Sequence, residues 1–296
     1  MNLSGLGIWT AQFDFYPATL VRDAAQELEA LGYGSLWIGE NVGREPISQS
    51  AILLGATREI VVATAVANIW ARDPLSVMAA QQTISEAHPQ RFILGLGVSH
   101  RRLVDDVRGL SYRQPVKAMA DYLSAMDQLS GRYRAVRAPT AMRMIAALGP
   151  RMLRLAAECA DGAHTYLAPP EHTVIARQLL GPGKLLVPEQ AVVLEPDKTT
   201  AYGIARRHVR RYLPLRNYTD NLRRLGFDSD DFQGDGSDRL VDALVAWGDE
   251  QAIAERIARH RDAGADQVCI QVLAPDFRAL PLEHWRRLAA IARVSR

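Results

Sequence analysis

The chain has 296 residues, 48% apolar and 23% charged, with 21 Gly and 15 Pro, which excludes disordered, collagen-like and low-complexity classes. Lys and Arg total 35 against 33 Asp and Glu, a net charge of +2, so nothing points to nucleic acid or another bulk polyanion. Two distant cysteines, Cys159 and Cys269, make neither a disulfide framework nor a zinc-finger spacing. No run reaches the ~18 apolar residues of a membrane span, and the segment from Met1 to Gly5 has no signal-peptide character, so a soluble cytoplasmic protein is expected.

Strands are predicted near residues 5–9, 35–38, 60–66, 92–98, 142–147, 163–167, 186–194 and 267–273. Helical patterns cover 18–31, 75–87, 115–130, 150–160, 171–180, 198–212, 249–263 and 282–294. In the first of these, Leu20, Val21, Ala24, Ala25, Leu28 and Leu31 form one apolar stripe. A grammar recurs in which a helical pattern runs to a Gly (Gly32, Gly162, Gly264) and an apolar strand follows. Gly supplies the left-handed residue that ends a helix, and strands apolar on both faces belong to a parallel sheet under helices.

Eight such strands alternating with helices fit a (β/α)8 TIM barrel, usually ~250 residues, and residues 1–296 read as one barrel domain. The excess lies between strands seven and eight. There Tyr218 to Gly226 reads as a short extra helix, followed by an acidic, Gly-rich stretch from Asp228 to Asp238. A long connection inside a compact domain suits a lid, so residues 199–236 are expected to form a helical, lid-like insertion. The rival, a doubly wound open sheet, needs an early phosphate fingerprint that this chain lacks.

No P-loop, H-E-x-x-H or G-x-S-x-G motif is present. The seven histidines form no pair of ligand spacing, so no metal is expected. Gly95-Leu96-Gly97 begins like a dinucleotide motif, but His100 stands where the third Gly belongs. These glycines read better as sites where backbone packs closely or meets a ligand.

Barrel active sites collect at the carboxyl ends of strands. At the fifth such end, Ala146-Ala147-Leu148-Gly149 precedes Pro150 and a helix start, which is either an anion site made by free N–H groups and the helix dipole or an ordinary Gly-Pro turn into a helix. Arg101, Arg102 and Arg151 add positive charge nearby. At the third end, the small residues Ala65, Val66 and Ala67 admit a flat ring, or are plain core. Glu40 and Asn41 directly follow an apolar strand, and the Glu40 carboxylate is either a helix-start residue or a hydrogen-bond acceptor in the pocket. His100, beside Ser99, is a candidate proton carrier or an ordinary loop histidine. Trp9 and Trp37 read as core.

The segments Gly7-Ile8-Trp9-Thr10, Leu31 to Glu40, Ala65 to Pro74, Arg91 to His100, Ile145 to Pro150 and Gly264 to Val268 occur in a familiar order. Together the chain resembles the luciferase-like monooxygenase superfamily, and within it the oxidoreductases that use the deazaflavin coenzyme F420. The resemblance implies a barrel with the cofactor ring over the strand ends, backed by a non-prolyl cis peptide within Thr64-Ala65-Val66-Ala67. It places the phosphate and tail by Ala146-Ala147-Leu148-Gly149 and the Ser99-His100-Arg101 turn, and gives Glu40 an acceptor role toward the ring. It departs where relatives carry an Asp-His pair after strand two and a Glu after strand four; here Glu40-Asn41 and His100 stand there. The catalytic candidates are therefore His100, Glu40 and Asn41. The implied activity is hydride transfer between F420 and a small organic substrate, with FMN monooxygenation or cofactor binding without turnover as alternatives. A homodimer paired through barrel helices is also implied.

Overall fold

The computed structural model describes residue 3 and residues 5–294. Within them lie ten strands: β1 (Gly7–Thr10), β2 (Ser35–Ile38), β3 (Val61–Thr64), β4 (Ala67–Asn68), β5 (Phe92–Gly97), β6 (Met142–Ala146), β7 (Gly162–Thr165), β8 (Leu185–Leu194), β9 (Val245–Gly248) and β10 (Cys269–Val272). All their ladders are parallel. The ring runs β1, β2, β3, β5, β6, β7, β8, β10, and closes where Gly7 pairs with Cys269 and Cys269 with Glu189. This is a closed (β/α)8 TIM barrel.

The helices are α1 (Ala18–Leu31), α2 (Pro46–Ala56), α3 (Pro74–Ala87), α4 (Pro115–Ser130), α5 (Pro150–Cys159), α6 (Pro170–Leu180), α7 (Lys198–Val209), α8 (Arg216–Arg224), α9 (Asp238–Leu244), α10 (Glu250–Asp262) and α11 (Leu282–Val294). Helices α2 to α6 each open on proline, whose fixed φ and missing N–H suit a first helical position. No helix among the described residues is long and apolar enough to cross a membrane.

The structure corrects the sequence reading in several places. Gly32 (φ 93°) and Gly264 (φ 100°) sit in the left-handed region just after their helices. Gly162 does not. It opens β7, and it is glycine because any Cβ there would run into the Leu185 carbonyl of the adjoining strand. Helix α2 occupies a stretch unassigned from the sequence. Its Pro-Ile-Ser-Gln-Ser-Ala-Ile-Leu-Leu-Gly-Ala run has apolar residues clustered rather than striped, and its start is set by Glu45, whose carboxylate accepts the Ile47 and Ser48 N–H groups. The predicted strand at 60–66 stops at Thr64 and resumes as β4, which pairs with β5 through Ala67 and Leu96. The strand predicted to reach residue 167 ends at Thr165, because Leu167 turns with φ 53°.

Beyond the barrel part of β8, α7, α8, α9 and β9 form a second apolar cluster around Val193, Ala205, Val209, Leu222 and Val241. The acidic stretch after α8 is tied down. Asp231 pairs with Arg239 and accepts the Ser237 hydroxyl at 2.6 Å, and the Arg239 guanidinium holds its carboxyl down at about 2.

Inside the ring, Trp37, Val61, Ala63, Ile93, Met144, Val187 and Cys269 pack together. His164 stacks on Trp37 at 4.9 Å between ring centres and bonds the Val187 carbonyl at 2.8 Å. Burial pushes His164 down to about 4, and His208 and His260 down to about 3. These residues are neutral in the fold and titrate near 6.5 when unfolded. Their stabilisation is therefore complete above pH 6.5 and is lost as pH falls toward their folded values. His164 alone accounts for about 3 kcal/mol at about 1.4 per pKa unit. Melting temperature is expected to fall steeply between pH 6.5 and 4; an unchanged value across that range would sink this account.

Candidate active site

The strand ends β2, β3/β4, β5 and β6 make one continuous wall. Its centre is the bulge between β3 and β4, where the Ala65–Val66 peptide is cis, within the four residues named by the resemblance. Trp9 Nε1–H donates to the Ala65 carbonyl at 3.2 Å. The bulge presses against β5 at its two glycines. A Cβ on Gly95 would overlap the Thr64 carbonyl oxygen, and one on Gly97 would overlap the Val66 side chain. The glycines of Gly95-Leu96-Gly97 thus serve close packing of backbone. Ala65 and Val66 edge the site, whereas the Ala67 and Ala147 side chains lie in the helix-facing core.

Glu40 is the polar hub of the wall, its side chain 4% exposed. Oε2 accepts the Asn68 N–H and an Arg72 N–H, both at 2.7 Å, and Oε1 accepts from Arg108 at 2.7 Å. Arg72 also pairs with Glu45 at 2.6 Å. Glu40 is thus largely engaged by the protein's own donors. Asn41 is exposed on the rim, where its backbone carbonyl accepts from Arg108 at 3.3 Å. Two buried donors here have no partner, Arg108 Nε and Asn68 Nδ2.

Further round, Trp70 Nε1–H donates to the Val98 carbonyl at 2.8 Å, and Ser99 turns the chain with φ 56°. His100 stands 5.5 Å from the Tyr218 ring. Burial lowers its pKa, partly opposed by a hydrogen bond with the Asn217 side chain, so it is neutral at pH 7. At the β6 end, Ala147 N–H donates to the His164 carbonyl at 3.1 Å, and the Leu148 carbonyl meets His172 Nε2 at 2.9 Å. Gly149 starts α5 with no side-chain cap. Facing it, 3.4 Å from where a Cβ would lie, is the Arg224 guanidinium. Arg101 turns away to Asp105 at 2.9 Å, and Arg102 and Arg151 are exposed.

The opposite side is aromatic. The Tyr166 hydroxyl donates to Gln271 Oε1 at 2.8 Å and shares a hydrogen bond with the Tyr212 hydroxyl at 2.7 Å. Trp9 lies 5.2 Å from the Tyr166 ring, and Tyr218 stands 5.1 Å from Tyr212. Sequence reasoning missed Arg72, Arg108, Arg224, Tyr212 and Glu189 as site residues. Glu189 left a readable mark, the sole charged residue of its strand, beside Gln190 in a run that is apolar elsewhere; the others come from loops and the insertion, where no periodicity points inward.

A closed parallel barrel with its polar and aromatic groups gathered at the strand ends is the layout of a barrel enzyme. Residues 10–184 match the luciferase-like monooxygenase family, and the chain belongs to it. A 5,10-methylenetetrahydromethanopterin reductase from Methanolobus tindarius is 25% identical over 183 residues, 56% of each chain. The chain spans about half the length of the curated relatives it matches. An F420-dependent secondary alcohol dehydrogenase, solved with an F420-acetone adduct, superposes with a TM-score of 0.77 at 15% identity over 100% of both chains. The oxygenating constituent of 3,6-diketocamphane monooxygenase from Pseudomonas putida, solved with FMN, gives 0.73 at 14% identity over 99% of this chain and 97% of that one. At such identities these structures bear on the fold alone.

Proposed function

We propose that the protein is an oxidoreductase that holds a flat, phosphate-bearing cofactor against the Ala65–Val66 bulge, coenzyme F420 before FMN, and moves a hydride between it and a small organic substrate. The observation that carries this is the pair of buried, partnerless donors, Arg108 Nε–H and Asn68 Nδ2–H, beside the bulge. A buried donor without an acceptor is costly, and the carbonyl edge of a deazaflavin or flavin ring supplies acceptors. The α5 start, with Gly149 uncapped and Arg224 facing it, suits the phosphate. The residues present therefore fit the cofactor.

When bound, F420 would take a hydride from an alcohol carbon in its oxidised form, or return one to the carbonyl in its reduced form; FMN would also admit single-electron reaction with oxygen. The protein's tasks are orientation and proton handling. Glu40 keeps Arg72 and Arg108 in place. Neutral His100 can take a proton from a substrate hydroxyl as hydride leaves. Tyr212 and Tyr218, brought by the insertion, close the substrate side and exclude water. The F420-dependent relatives favour F420; the FMN-bound neighbour supports the monooxygenase reading.

Fluorescence titration of the purified protein with each reduced cofactor tests this. Binding of F420 without FMN is expected, and Arg224→Ala is expected to weaken it about tenfold, from loss of a charge-assisted hydrogen bond worth roughly 1.5 kcal/mol. If neither cofactor binds, the proposal fails.

A further inference from the structure

Glu189 is a second acid in the barrel, on a wall the cofactor reading leaves unused. It sits on the inner face of β8, level with Cys269 on β10, and one residue beyond the Thr165–Pro188 pairing that brings Tyr166 alongside on the β7 side. The residue is 1% exposed. Its Oε2 accepts the Leu167 N–H at 3.1 Å, and its Oε1 is buried with no partner. No ion pair among the described residues includes it. The titratable groups facing it are Tyr166 after β7, Cys269 on β10, and Tyr212 and Tyr218 from the insertion. His164 lies one layer below on β7, opposite Val187. None of these is a cation at neutral pH.

A carboxylate in such surroundings has nothing to offset its desolvation, whereas a carboxylic acid does not incur that cost. The Leu167 N–H bond also matters geometrically. Leu167 adopts φ 53°, a conformation a branched side chain rarely takes, and it directly follows Tyr166. We propose that Glu189 is a positioning residue working as an uncharged acid: by accepting the Leu167 N–H it fixes the turn after β7, and with it the Tyr166 hydroxyl that links Tyr212 to Gln271 beneath the substrate. The catalytic part of this rests on the oxidoreductase reading above.

Burial pushes the carboxyl up to about 8, with the Leu167 N–H pulling the other way. Ionisation above that pH places a bare negative charge under the tyrosines and disturbs the chain they form. Turnover is therefore expected to show an alkaline limb with its midpoint near pH 8. Stability carries the same signature. The folded carboxyl keeps its proton up to about 8, while the unfolded one loses it near 4.5, so stability declines as pH rises between those values. The buried histidines contribute fully above pH 6.5, which leaves 6.5 to 8 as the window for Glu189.

The decisive measurement is carbon-13 NMR of glutamate side-chain carboxyls in the whole chain. One carboxyl is expected to titrate near pH 8 and to vanish in Glu189→Gln. Glutamates that all titrate below pH 6 overturn the proposal, and this reading of the wild type stands even if the variant does not fold. Glu189→Gln keeps an oxygen for Leu167 N–H and cannot ionise. Its turnover is expected to stay within about twofold up to pH 9, where the wild type falls about tenfold per pH unit beyond its midpoint. An alkaline limb unchanged in the variant overturns the proposal. Loss of cofactor binding by the wild type would instead strike the oxidoreductase reading and leave the titration result intact.

Discussion

Glu40→Ala is expected to destabilise the protein by about 3 kcal/mol and to weaken cofactor binding more than tenfold. The carboxylate is 4% exposed and holds Arg72 and Arg108, whose side chains are 13% and 29% exposed. Removing one partner of a buried pair costs roughly 3–5 kcal/mol, because the remaining charge stays buried and unpaired. The partial exposure of Arg108 argues for the lower end. The variant also leaves the Asn68 N–H without its acceptor and Arg108 without a carboxylate, while Arg72 keeps Glu45. Urea denaturation and cofactor titration measure the two effects. A variant within 1 kcal/mol of wild type, as an order of magnitude, would show that the arginines find other partners and that Glu40 does not organise the wall.

Gly95→Ala carries the second large effect. The atom that a Cβ would strike is the Thr64 carbonyl oxygen, which is backbone and has no rotamer to change. The same two residues are joined by Thr64 Oγ1, which donates to the Gly95 carbonyl at 2.7 Å and accepts the Gly95 N–H at 2.9 Å. A single methyl therefore parts β3 from β5 at the bulge. More than about 3 kcal/mol of stability is expected to be lost, beyond the usual range for overpacking because the neighbour is backbone. Gly203→Ala is the matching control. It lies in α7 with nothing within 4 Å of an added Cβ, and a gain of about 0.5–1 kcal/mol is expected there. Equal effects at the two positions would refute the packing argument.

What could be read in the sequence follows from what local pattern encodes. Strands such as Val61–Thr64 are apolar on both faces and short, so a parallel sheet was visible, and helix–Gly–strand spacing made it a barrel. Long-range contact is not local pattern. Gly162 was misread because a close approach to Leu185 and a helix cap leave the same residue type in the chain. Helix α2 escaped because Ile52, Leu53 and Leu54 are consecutive and give no stripe. Of the candidate site, the placement of Glu40, the Ala65–Val66 turn and Gly149 at strand ends was legible from their position and from the resemblance. Arg224 was not, since its place opposite Gly149 depends on how a helix in the insertion folds back. Glu189 was legible only in outline: its strand was assigned, but inward direction follows from the β8 register.

That register has a mechanical consequence. Ala191 and Val192 of β8 are paired on both edges, with Gln271 and Val272 of β10 on one and with Val245 and Ala246 of β9 on the other. The returning end of the insertion is therefore spliced into the barrel wall by a main-chain ladder. It cannot swing about Glu195 as a rigid flap without tearing that ladder. Any movement over the mouth is confined to the stretch between the end of α7 and the start of α9, which carries Tyr212, Tyr218 and Arg224. On the function proposed above, substrate entry and the hold on the cofactor's anionic end would be coupled through that one stretch, anchored at both ends.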